Sequence, residues 1–156
     1  MSATPETHPL ARWSVGGTFL EALATRDHQL MAKTLAPCVR LRAMLPPGPM
    51  NWTGPDAVAD AFSSWFGAAE DFQVVDATVG QVGDRLHLSW RLRVRPAPFG
   101  MGAGWHVIEQ QAYADSYDSH DTIETLDLLC SGFQPEHSGP PELDLAVDAR
   151  QVSCRR

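Results

Sequence analysis

The stretch Leu86–Arg95, LHLSWRLRVR, decides the fold. Leu86, Leu88, Trp90, Leu92 and Val94 fall on one side of a period of two. His87, Ser89, Arg91, Arg93 and Arg95 fall on the other. That is a strand with one buried and one wet face, as in an antiparallel sheet covered on one side only. Gly83-Asp84 turns into it from a strand over about 72–82 that Gly80 is expected to break. A Pro/Gly loop (96–104) leads out of it to a strand over 105–117. A turn at 118–121 then leads to a last strand over 122–133.

Upstream, Val15, Phe19, Ala22 and Leu23 recur at helical spacing over 11–25, in a helix weakened by Gly16 and Gly17. Asp27 is placed to cap a second short helix through Leu35, which Pro37 is expected to end. Cys38–Leu45 alternates and reads as a strand, and Pro46–Pro49 reads as a loop. Thr53-Gly54-Pro55 opens a third helix carrying Val58, Ala61, Phe62, Trp65 and Phe66. Helices followed by a run of strands mean α+β: three helices packed on a curved, mostly antiparallel sheet. Residues 1–10 read as a flexible arm, 11–133 as the domain, and 134–156 as a disordered tail rich in Pro and acid.

Placing Arg95 beside Trp105 makes paired positions of the two central strands sum to about 200. Arg91 then faces Glu109 on the wet side, Trp90 faces Gln110, and Val94 faces His106. His106 and Gln110 become polar groups on the apolar face, where each needs a partner in the core, a water or a ligand. Glu109 and His106 fall on opposite faces and form no dyad.

The chain has 156 residues, 44% of them hydrophobic, with a mean hydropathy of -0.21. This suits one domain and excludes a wholly disordered or fibrous chain. A net charge of -7 argues against nucleic acid and anionic membrane as partners. The N-terminus lacks a basic and apolar leader pattern, and no apolar run is long enough to span a membrane. Three scattered cysteines, Cys38, Cys130 and Cys154, point to a reducing, cytoplasmic setting without disulfides. No spacing suits a metal, and no cofactor is expected.

FLEALATRDHQLMAKTLAP (19–37), TGPDAVADAF (53–62) and VIEQQAYADSYDSHDTIETLDLLCSGF (107–133) together resemble the nuclear transport factor 2-like superfamily. That superfamily includes ketosteroid isomerases, limonene epoxide hydrolases and SnoaL-like polyketide cyclases. The resemblance implies a cone-shaped pocket between sheet and helices, and a possible homodimer through the outer sheet face. Against the isomerases, the aspartate opening the second helix resembles Asp27, and the oxyanion-binding tyrosine is replaced by Phe19. The general-base aspartate is replaced by a residue close to Ala43, and the second oxyanion donor by Gln110. Steroid-isomerase chemistry is therefore not expected, since neither Phe nor Ala moves a proton or donates to an oxyanion. For the epoxide hydrolases, the candidate acid Asp127 falls outside the pocket.

The expectation is thus a SnoaL-like cyclase or isomerase acting without a cofactor on a hydrophobic, polyketide-like small molecule. His106 would be the catalytic proton carrier, and Gln110, Trp90 and Phe19 would bind substrate. The alternative is a non-catalytic ligand-binding or dimerisation module of the same fold. DARQVSC (148–154) also resembles the opening of TusA-like sulfur carriers, which would give Cys154 a role.

Overall fold

The computed structural model describes residues 9–116 and 121–136, with side chains from Trp13 onward. Helices α1 (Pro9–Thr25), α2 (His28–Lys33) and α3 (Pro55–Phe66) accompany seven strands. These are β1 (Leu35–Leu45), β2 (Gly48–Thr53), β3 (Asp71–Val82), β4 (Arg85–Arg95), β5 (His106–Asp115), β6 (Ile123–Cys130) and β7 (Gln134–Pro135). They form one curved sheet in the order β2-β1-β6-β5-β4-β3, with β7 also on β5. Every pairing is antiparallel except β1 with β6. The fold is α+β, as the alternation in β4 requires.

The register of β4 on β5 is the expected one. Trp90 pairs with Gln110, Arg91 with Glu109 and Val94 with His106. Alternate residues of both strands are buried against the helices. On the outer face Arg91 and Glu109 form an ion pair, each about half exposed. His87 stacks near Tyr113, with ring centroids 4.8 Å apart.

Each helix start has a local cause. The Asp27 carboxylate accepts the Leu30 N–H at 3.0 Å and caps α2. Pro55 opens α3 behind Gly54, whose φ of 96° suits glycine. Gly16, unfavourable to α1 in isolation, allows the helix to lie on β4. A Cβ there would sit 2.9 Å from Leu86 Cδ2.

Several boundaries differ from the sequence expectation. Pro37 does not precede a strand but lies inside β1. It falls in a stretch where the register on β6 shifts between Leu35 and Arg40, so its missing N–H interrupts no ladder. Pro46–Pro49 is not all loop. Gly48–Thr53 forms β2, an edge strand, which tolerates Pro49. β3 runs unbroken through Gly80, and its irregularity is at Val75. α1 starts at Pro9, inside the expected arm.

The tail does not begin at 134. Gln134 and Pro135 pair with Val107 and His106. The Glu136 N–H donates to the Trp105 carbonyl at 3.0 Å, and its carboxylate receives both Arg93 Nε and Nη2, at 2.9 and 2.7 Å. Cys154 and the rest of the expected tail lie outside the described residues, as do residues 1–8.

Candidate functional site

The inner face of the sheet divides into a closed end and an open end. At the closed end Phe19 from α1, Phe62 from α3 and Trp90 from β4 pack ring against ring. Their centroids lie 5.6 to 6.2 Å apart. Phe19 is fully buried and Trp90 is 3% exposed. The Trp90 indole N–H donates to Gln110 Oε1 at 2.7 Å. Gln110 Nε2 in turn donates to Cys130 Sγ at 3.3 Å. Gln110 is therefore a buried amide engaged at both ends, as a buried polar group must be.

The open end is a cavity of about 630 Å³. Its floor is Ile108 of β5 and Cys130 of β6, and one wall is Trp65 of α3 with Trp52 of β2. These two indoles meet edge to face at 5.8 Å. The β1–β2 hairpin adds Pro46, Pro47, Pro49 and Met50, and the loop between β4 and β5 adds Phe99 and Met101. Phe133 and Gln134 close the remaining side. Gly132, at φ 79°, allows Pro46 to approach. A Cβ at 132 would lie 2.6 Å from Pro46 Cγ, so hairpin and β6 could not meet there.

No charged side chain is among those lining this cavity. Besides the indole N–H groups of Trp52 and Trp65, its polar side chains are Ser64, Cys130 and Gln134, and each of these three is bonded within the protein. The Ser64 hydroxyl donates to Ala61 O at 2.6 Å, and Gln134 Nε2 donates to Ser131 O at 3.1 Å. Cys130 Sγ also accepts from the Gly132 N–H at 3.4 Å. Cys38 and Cys130 are free thiols. Among the described residues, no cluster of three or more His, Cys, Asp or Glu side chains could hold a metal ion.

The four residues expected to meet in a pocket do not line this cavity. Phe19, Trp90 and Gln110 form the closed end, one layer deeper. The physical reason is volume: two aromatic side chains and an indole fill the space that the expected pocket would need. Gln110 touches the site only through Cys130. His106 is 5% exposed, at the start of β5, two residues before Ile108. Its Nδ1 lies 3.0 Å from the Gly104 carbonyl. A carbonyl only accepts, so Nδ1 is the donor in this contact. Nε2 has no hydrogen-bond partner among the described residues.

Sequence reading missed Trp52, Phe99, Met101 and Phe133. The prolines around Trp52 hide its strand, and Phe99 and Met101 lie in a loop without periodicity. Asp127 is on the outer face, as expected. Arg42 Nε reaches its Oδ1 at 2.7 Å and Arg85 Nη2 its Oδ2 at 2.8 Å. The bond from Arg42, then that from Arg85, holds the Asp127 carboxyl below the usual aspartate range, against the opposing effect of partial burial.

Comparison with known proteins supplies the context. The family model of the SnoaL-like domain matches residues 17–121. No curated protein matches the chain. Among solved structures, a phenazine biosynthesis-related protein from Pseudomonas aeruginosa superposes with a TM-score of 0.59 at 13% identity, covering 85% of this chain and 96% of that one. AusH from Aspergillus nidulans gives 0.58 at 13% identity, with 80% and 86% covered. A nuclear transport factor 2-like protein from Burkholderia xenovorans gives 0.57 at 10% identity, with 78% and 90% covered. At such identities the shared property is the fold. The family match, which covers about two thirds of the chain from α1 onward, makes the chain a member of the SnoaL-like domain family.

Proposed function

We propose that this protein binds one uncharged, hydrophobic small molecule in the cavity between Trp52, Trp65, Ile108 and Cys130. The observation that carries the reading is a space of about 630 Å³ walled by aromatic, proline and methionine side chains, with no charged group in its lining. That volume lies in the usual range for small-molecule sites, roughly 300–1,000 Å³. An ionised ligand would lose its hydration there without gaining a counter-charge. The neutral fluorophore N-phenyl-1-naphthylamine tests this directly. Binding is expected to the parent protein, and to fall at least tenfold in Cys130→Trp, which fills the floor. Equal affinity in the two proteins, with unchanged thermal melts, would overturn the assignment.

The cyclase or isomerase reading on a polyketide-like substrate is carried by one observation: His106 lies outside the cavity lining but on the inner face of β5, two residues from Ile108 of the cavity floor, with Nδ1 held on the Gly104 carbonyl. An imidazole with Nδ1 held on a carbonyl presents Nε2 as the nitrogen that would exchange a proton with a ligand. Its test is deuterium incorporation at the α-carbon of 2-tetralone in heavy water, followed by NMR. Exchange catalysed by the parent and lost in His106→Ala supports the reading. Exchange equal in both proteins, or absent from both, leaves binding as the function. A homodimer through the outer sheet face belongs to the same proposal. Met44 and Leu129, paired across β1 and β6 and both exposed, lie on that face, and light scattering reads the mass.

A further inference from the structure

The loop between β4 and β5 is held at both ends, and its middle is exposed. At its start, Arg95 places Nε and Nη2 on Asp71 Oδ2, at 2.9 and 2.7 Å, and Ala97 is buried. At its end, Arg93 and Arg95 both lie over the Trp105 ring, 4.1 and 4.5 Å from the centroid. The His106 ring holds the Gly104 carbonyl. Between these anchors Phe99 is 72% exposed and Met101 45% exposed, although both belong to the cavity wall.

Phe99 also has a left-handed backbone, with φ 63°. A bulky residue adopts that conformation at a cost, and here burial of its ring does not offset it. Gly100 and Gly102 follow, at φ 68° and 111°, where glycine alone moves freely between conformations. A large apolar side chain is thus held at the rim of an apolar cavity, next to flexible backbone, with its own surface still in water.

We propose that residues 97–104 form a lid that folds over the hydrophobic ligand, bringing Phe99 and Met101 onto it, and that Phe99 is the main determinant of affinity. The proposal rests on the cavity being the binding site. Ligand is the only partner the loop needs. The exposed ring becomes buried when the cavity is filled, and the closed state is favoured by that differential contact. Arg95 and Trp105 act as the fixed ends about which the backbone turns.

Hydrogen exchange on the full chain, with and without saturating N-phenyl-1-naphthylamine, reads the closure. Amides of residues 97–104 are expected to gain protection on binding. Phe99→Gly suits the left-handed backbone and so leaves folding intact. It is expected to weaken the probe about tenfold or more, as loss of one buried aromatic contact implies, and to abolish the added protection. Phe99→Leu is expected to retain most of both. If the parent binds the probe and Cys130→Trp does not, but loop exchange is unchanged and Phe99→Gly binds within twofold, the lid is wrong and the site stands. If the parent does not bind the probe, site and lid fall together.

Discussion

The two ends of the inner sheet face are built from the same kinds of residue and do different things. At the closed end Phe19, Phe62 and Trp90 fill the space, and Gln110 is satisfied by Trp90 and Cys130. At the open end Trp52, Trp65, Phe99 and Phe133 surround space instead of filling it. The difference lies in the supports. Phe19 comes from α1, which lies on β3 and β4, and Phe62 from α3, which lies on β1 and β2, and the two helices bring these rings together against Trp90. The open end receives only the last turns of α3, at Ser64 and Trp65, and is otherwise framed by a proline hairpin and a loop. Aromatic content alone does not distinguish a core from a site. What matters is whether rigid elements converge on it.

The comparison breaks most readily at Trp90. Trp90→Ala is expected to destabilise the protein by about 3–5 kcal/mol, the usual range for truncating a buried Trp, as read from urea denaturation. A loss below 1 kcal/mol would mean that the closed end is not a packed core. A finer probe is Trp90→Phe, which keeps the ring and removes the N–H. It leaves Gln110 Oε1 unpaired, at a cost of about 1–3 kcal/mol. Adding Gln110→Leu should restore much of that loss, because both partners of the bond are then gone.

The outer face provides a control that neither end shares. The depressed Asp127 carboxyl contributes stability that is complete above the ordinary aspartate range, near ~3.9. That contribution is lost as pH falls through the lower folded value. Asp127→Asn should therefore cost about 1 kcal/mol at neutral pH, an amount limited by solvent screening. The cost should shrink toward zero in acid, while probe binding stays unchanged. An undiminished loss at low pH would show that the Arg42 and Arg85 contacts are not the cause. The smallest effect is expected at the open end. Phe99→Gly should change stability by about 0.5 kcal/mol or less, since its ring is mostly in water. A thermal melt that moved by more than a few degrees would mean the loop is part of the core.

The sequence by itself determined the elements whose causes are local. Alternation from Leu86 to Arg95 set the faces of β4. Placing Arg95 beside Trp105 across the loop that follows then gave the pairing of Trp90 with Gln110 and Arg91 with Glu109, which the structure bears out. Asp27 and Pro55 marked two helix starts for equally local reasons. The tertiary structure alone decided three things. β2 is a strand despite its proline because it lies at the sheet edge. Gln134–Glu136 belongs to the domain because β5 and Arg93 hold it. The cavity opens at Trp52 and Cys130, not at Phe19 and Gln110. Faces follow from period, which is a property of one segment. Empty volume follows from which side chains of distant segments converge, and α1, α3 and β4 meet at the closed end only once the chain has folded.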